Sequence, residues 1–134
     1  MLIAITSDGQ DLNSLVSERF GKSPFIIIYE TENHSFHSLP NPYVNIFGGA
    51  GIQTAQFIIE KNVTAVITSE LESNAFHFLK TAGIKIYCCS KEKVIDIVDK
   101  FNDRKLQIIK NGYIEKISKK GGERERRRYR KSNF

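Results

Sequence analysis

No apolar run in this 134-residue chain approaches the roughly 18 residues that a membrane-spanning helix needs, which excludes a transmembrane segment. The opening Met1-Leu2-Ile3-Ala4-Ile5-Thr6 has no basic n-region and no small-residue cleavage site. It reads as a first strand rather than a signal peptide, so a cytoplasmic protein is expected. Cysteine is scarce: there are two, Cys88 and Cys89, adjacent and without a spaced partner. A disulfide framework and a four-cysteine zinc site are both excluded. The three histidines, His34, His37 and His77, show no ligand spacing such as H-E-x-x-H and read as surface or half-buried side chains. There is no Gly-Lys-Ser/Thr to close a P-loop and no G-x-G-x-x-G, so neither a nucleoside triphosphate nor a dinucleotide site is expected. No internal repeat is visible.

Hydrophobic residues make up 40% and charged residues 26%, ordinary values for a globular domain. The length supports one domain with one modest core, too small for an enzyme with a separate cofactor domain. The net charge of +5 is unevenly placed. Residues 119–134 carry eight Lys/Arg against Glu123 and Glu125, a local balance of +6, which leaves residues 1–118 at −1. A near-neutral body argues for no global affinity for nucleic acid. The organisation expected is a single domain over 1–118 and a basic, disordered, solvated tail over 119–134. The tail's Lys119–Lys131 stretch also has the charge to bind nucleic acid or acidic lipid through counterion release.

Periodicity maps the body. Strands are expected at 2–6, at Phe25-Ile26-Ile27-Ile28-Tyr29, as a hairpin partner over 34–39, at 63–68 and at 84–88. Helices are expected over 52–61, after Ser73, and after Ser90, the two serines serving as caps. Ala55, Ile58 and Ile59 face the core in the first helix. In the second, Ala75, Phe78, Leu79 and Ala82 repeat at i, i+3, i+4 and i+7, as Val94, Ile97, Val98 and Phe101 do in the third. A last hairpin around Asn111-Gly112 is expected within 105–117. The order β-β-β-α-β-α-β-α implies a mixed sheet, with right-handed crossovers between its later, parallel strands.

Four segments can carry chemistry. Gly48-Gly49-Ala50-Gly51-Ile52-Gln53-Thr54 places glycines at a helix start, where the backbone approaches a ligand closely and free N–H groups favour an anion. Ser17-Glu18-Arg19-Phe20-Gly21 offers the planar fork of Arg19 to an oxyanion or sulfido ligand, or to Asp8 or Asp11. Ser7 and Asp8 follow the first strand. Ser69-Glu70-Leu71-Glu72 follows a strand at the carboxyl edge, where ligands of open α/β sheets bind. Cys88 ends a strand near that edge, and a soft thiolate there suits iron, copper or molybdenum–sulfur species. Packing is the competing role for both cysteines, and successive strand residues face opposite sides, so at most one points at a given ligand.

Ser17-Glu18-Arg19-Phe20-Gly21-Lys22-Ser23-Pro24-Phe25, then Gly48-Gly49-Ala50-Gly51-Ile52-Gln53-Thr54-Ala55-Gln56, then Asn74-Ala75-Phe76 with Gly83-Ile84-Lys85-Ile86-Tyr87 occur in that order. Together they resemble the dinitrogenase iron–molybdenum cofactor biosynthesis family over about residues 1–110. The resemblance implies a ribonuclease-H-like, three-layer α/β fold with a five-stranded mixed sheet and flanking helices. It implies binding and transfer of an iron–sulfur or molybdenum–sulfur cluster or its precursor, and a related small protein holds a molybdenum–copper–sulfide cluster non-covalently. Glu70-Leu71-Glu72-Ser73 stands where many members have a Gly/Pro-containing loop, and the basic tail is additional to the family core.

The function expected is therefore a prokaryotic, cytoplasmic binding module rather than an enzyme. It would hold an anionic metal–sulfur cluster through Ser7, Arg19, Gly48, Gly49, Ala50, Gly51, Ile52, Thr54 and Ser69, with Cys88 as the one candidate metal ligand. Its partners would be a cluster donor or acceptor protein, with nucleic acid through 119–131 as the alternative, and its state a monomer or homodimer. A metal-dependent nuclease is the enzyme alternative. It needs clustered carboxylates, and Asp8 and Glu30 would fall on opposite edges if the first two strands are antiparallel.

Overall fold

A computed structural model describes residues 1–110. Its strands are β1 (Leu2–Ser7), β2 (Phe25–Glu30), β3 (Phe36–Pro40), β4 (Ala65–Thr68), β5 (Lys85–Cys88) and β6 (Gln107–Ile108); its helices are α1 (Ala50–Ile59), α2 (Ser73–Thr81) and α3 (Val94–Asn102). A single 3-10 turn, Phe20–Lys22, precedes β2. The sheet runs β3-β2-β1-β4-β5-β6. β1, β4 and β5 are parallel, while β2, β3 and β6 pair antiparallel with their neighbours.

Among the described residues the sheet thus has six strands where the family resemblance implied five. The sixth is two residues long, pairs Ile108 with Tyr87 and Gln107 with Cys88, and lies within the 105–117 range where a last hairpin was expected. The expected turn at Asn111-Gly112 and the basic tail lie outside the described residues. Two expected caps are also corrected. Glu72, not Ser73, precedes α2, and Lys93, not Ser90, precedes α3. The Ser90 hydroxyl turns instead to the Glu92 carboxylate.

The strands show why their sequences are nearly continuous in apolar residues: both faces of the sheet are covered. Ala4, Ile26, Ile28, Val66, Ile86 and Cys88 face one layer, with Ala55 and Ile58 of α1 and Ala75, Phe76 and Leu79 of α2. Ile3, Ile5, Ile27, Tyr29, Ala65, Ile67 and Cys89 face the other, with Val94, Ile97 and Val98 of α3. Each fully buried Ile or Leu in these layers stabilises the fold by about 1.5–3 kcal/mol relative to exposure.

The register fixes which edge each loop occupies. Ser7 lies opposite Phe25, and Phe25 lies opposite Pro40. The end of β1, the start of β2 and the end of β3 therefore share one edge. β4 and β5 run parallel to β1, so Thr68 and Cys88 end there as well. Segments 8–24, 41–49, 69–72 and 89–93 all gather at this carboxyl edge.

Candidate functional site

The glycine loop enters α1 through two left-handed residues. Gly48 has φ +87° and Gly49 φ +77°, and a Cβ on either would meet nothing within 4 Å. Glycine is the residue that adopts this conformation without strain. Gly49 is the N-cap, and no side chain caps the helix. The helix consequently starts at Ala50, two residues before the position expected. Its first N–H groups have no intrahelical acceptor, and the helix dipole makes this end positive.

The three helix starts at this edge differ. At α3, the N–H groups of Val94 and Ile95 donate to the carbonyls of Ser14 and Leu12, both at 2.8 Å. At α2, the Ala75 N–H donates to Asn74 Oδ1 at 2.7 Å. The start of α1 lies between its neighbours: Gly21 packs onto Gly51, and Gly51 faces Ala75 and the Glu72 carboxylate. Ala50 and Gly51 are accordingly buried, while Gly48 and Gly49 are exposed and Ile52 is half-buried. The open surface of the segment is therefore Gly48–Gly49 with the margin of the first helical turn.

Arg19 reaches the same edge. Its side chain is 61% exposed, and its Nε lies 3.8 Å from Glu70 Oε1. That separation is longer than a hydrogen bond, and an ion pair so exposed stabilises little. The two segments are also tied through their backbones, the Phe20 N–H donating to the Glu70 carbonyl at 3.0 Å. The guanidinium pairs with neither Asp8, which takes Lys91 at 2.7 Å, nor Asp11, whose Oδ1 accepts the Asn13 N–H.

The other candidates at this edge are occupied within the protein. Ser7 Oγ donates to the Gly9 carbonyl at 2.8 Å. Thr54 is fully buried and its Oγ1 meets Asn41 Nδ2 at 3.1 Å. Ser69 Oγ donates to the Cys89 carbonyl at 3.0 Å. These three hold the walls rather than face the opening. Cys88 and Cys89 are buried on opposite faces of the sheet. Burial pushes both thiols up to about 12, so each is protonated at neutral pH instead of offering the thiolate the sequence suggested. Among the described residues no group of three or more His, Cys, Asp or Glu is placed to hold a metal ion. The edge thus presents N–H donors and a guanidinium that can grip an anion by its outer atoms.

Sequence reasoning missed the polar group that braces this edge. Asn41 Nδ2 donates to the Ser23 carbonyl at 3.0 Å, and Asn41 Oδ1 accepts the Tyr43 N–H at 3.0 Å. Ser23 Oγ accepts the Ser7 N–H at 3.0 Å and donates to the Phe25 carbonyl at 2.6 Å. Lys22 Nζ donates to the Ile46 carbonyl at 3.0 Å. The available signal was the pair of polar residues preceding proline, Ser23-Pro24 and Asn41-Pro42, since such residues fold back onto nearby backbone.

Comparison with known proteins gives the context. The fold is similar to the apo form of the orange protein from Desulfovibrio gigas, with a TM-score of 0.81 and 26% identity over 85% of this chain and 96% of that one. A NifB-like protein from Thermotoga has a TM-score of 0.72 and 34% identity, covering 82% of this chain and 94% of its own. An uncharacterized protein of Methanocaldococcus jannaschii is 26% identical over 110 residues, 80% of this chain and 90% of that protein. Residues 1–104 match the model of the dinitrogenase iron-molybdenum cofactor family, and the chain belongs to that family.

Proposed function

We propose that this protein is a non-enzymatic carrier that holds an anionic iron–sulfur or molybdenum–sulfur cluster, or its precursor, and passes it between a donor and an acceptor protein. The observation that carries the reading is the open, uncapped start of α1 at Gly48–Gly49, at the same carboxyl edge as Arg19. A sulfide-rich cluster presents soft anionic atoms at its surface. Backbone N–H groups and a planar guanidinium suit those atoms, and the hold needs no covalent bond. The absence of a multi-residue metal-binding group among the described residues fits a cargo gripped through its sulfides. The family and the likeness to the orange protein and the NifB-like protein support the same theme.

On this reading Arg19, Gly48, Gly49, Ala50 and Ile52 form the contact. Gly51, Ser7, Thr54 and Ser69 shape the walls. The strand order β3-β2-β1-β4-β5 with antiparallel β2 supports the ribonuclease-H-like architecture, with β6 added at its edge. Among the described residues no helix is long and apolar enough to cross a membrane, and a cytoplasmic monomer or homodimer goes with the proposal. The +6 stretch at 119–134 is assigned, on charge alone, as a separate tail. Its deletion is expected to leave cluster binding intact.

The test is anaerobic reconstitution with ferrous iron, sulfide and molybdate, followed by desalting. Visible-range absorption and retained metal are expected, with both reduced in Arg19→Gln. A colourless protein that retains no metal overturns the proposal.

A further inference from the structure

Two positive features of this edge, Arg19 and the first turn of α1, have a carboxylate beside them. Glu70 Oε1 stands 3.8 Å from Arg19 Nε. Glu72 Oε1 stands 3.4 Å from the point where a Cβ on Gly51 would lie, over the first turn of α1. Neither is held as a structural ion pair would be. The Arg19–Glu70 separation exceeds hydrogen-bond length, and both side chains reach solvent. Glu72 is exposed and does not cap its own helix. What locks segment 69–72 in place is its backbone and its apolar residue: the Glu70 carbonyl accepts from Phe20, and Leu71 is buried in the core. The two carboxylates are thus free to turn while their backbone stays fixed.

Taken as permanent furniture, two negative charges would only oppose an anionic cargo. Taken as occupants, they fit. A guanidinium and a helix start without an anion are unbalanced positive sites, and a carboxylate within a few ångströms offsets their charge without a hydrogen bond in the absence of cargo. We propose that Glu70 and Glu72 are resident counter-anions of the cluster site, sitting at Arg19 and at the first turn of α1 until a cluster displaces them into solvent. This rests on the cluster-binding reading. It adds that the site's affinity is set below its maximum, so that a bound cluster can be released to an acceptor by the return of two side chains. No covalent change in the protein is required.

The probe is tetrathiomolybdate, a compact thiometalate dianion whose binding is followed by its visible absorption, titrated into the full chain at two salt concentrations. Glu70→Gln and Glu72→Gln keep size and backbone contacts, and circular dichroism checks that both fold. Each is expected to bind the probe about three- to tenfold more tightly than the wild type. In an Arg19→Gln background the gain from Glu70→Gln should shrink, because the carboxylate then has no cation to release. Glu60→Gln, at the far end of α1, removes the same charge away from the site and should change nothing.

Unchanged or weaker binding by both Glu70→Gln and Glu72→Gln, with the wild type binding, overturns the counter-anion role and leaves the carrier reading standing. An equal gain from Glu60→Gln also overturns it, because net charge would then explain the effect. If neither wild type nor variants bind the probe, both proposals fall together.

Discussion

Gly21 lies against the first turn of α1 so closely that a Cβ on it would stand 2.8 Å from the backbone nitrogen of Gly51. The contact joins the 3-10 turn that follows Arg19 to the helix start that follows Gly49. The atoms in the way are backbone, so they cannot rotate aside. Gly21→Ala is therefore expected to cost about 1–3 kcal/mol through overpacking and to push Arg19 away from the glycine loop. A lowered thermal midpoint together with weaker thiometalate binding checks it. Gly51→Ala is the control, since its Cβ would meet Ala75 and Glu72 at 3.4 Å, an ordinary contact, and should leave stability nearly unchanged.

Asn41 is the post on which the 41–49 loop hangs. Its amide bonds the Ser23 carbonyl, Thr54 Oγ1 and the Tyr43 N–H, and it is 4% exposed. Asn41→Ala strips partners from buried groups, which costs about 1–3 kcal/mol for each group left unsatisfied. The loop then loses its fixed entry into α1. Chemical denaturation should show the loss of stability, and hydrogen exchange should show the amides of 43–49 speeding up relative to the wild type more than those of β4 or β5. Equal exchange in the loop of wild type and variant would contradict this account.

The layered α/β arrangement was legible because its signals are local. The run from Phe25 to Tyr29, the repeat through Val98 and the stop at Gly83 each report burial or backbone geometry within a few residues, whereas in α2 only Ala75 and Leu79 of the expected face are buried, Phe78 and Ala82 are exposed, and Phe76 packs inward instead. Gly83, at φ +83°, ends α2 as expected. The site was only half legible. The glycines announced an open helix start, but the edge of the sheet to which they belong follows from the Ser7–Phe25–Pro40 register, which is a long-range property. For the same reason the sequence could not separate exposed Gly48 and Gly49 from buried Gly51, or foresee that Thr54 and Ser69 turn inward. The two-residue β6 lies inside the hairpin expected over 105–117, but its pairing with β5 is again a long-range property.

Phe47 offers the opposite case, a large apolar side chain with no packing to lose. It is 105% exposed, directly before Gly48. The loop's position depends instead on Lys22 and Asn41. Phe47→Ser is expected to leave unfolding stability within about 0.5 kcal/mol of the wild type. A loss of 2 kcal/mol or more in urea denaturation would show that the ring is packed in solution.

The adjacent thiols make stability depend on pH in the alkaline range. Burial pushes Cys88 and Cys89 from an ordinary value of 9.0 to about 12 in the folded state. Between those values the unfolded chain has lost both protons while the folded chain keeps them. The folded state then binds more protons, so unfolding becomes easier as pH rises. The contribution is intact below about pH 9 and is lost on the way to about pH 12. Tyr29, raised by burial and by the nearby Asp99 carboxylate, adds in the same direction. Urea midpoints measured from pH 8 to pH 11 should therefore fall, and the fall should be shallower in Cys88→Ala/Cys89→Ala, whatever that variant loses at pH 8 from its cavities. At pH 8 a thiol reagent should leave both cysteines of the wild type unmodified until denaturant is added, and cluster reconstitution of the double variant should match the wild type, because both cysteines are buried in the two core layers.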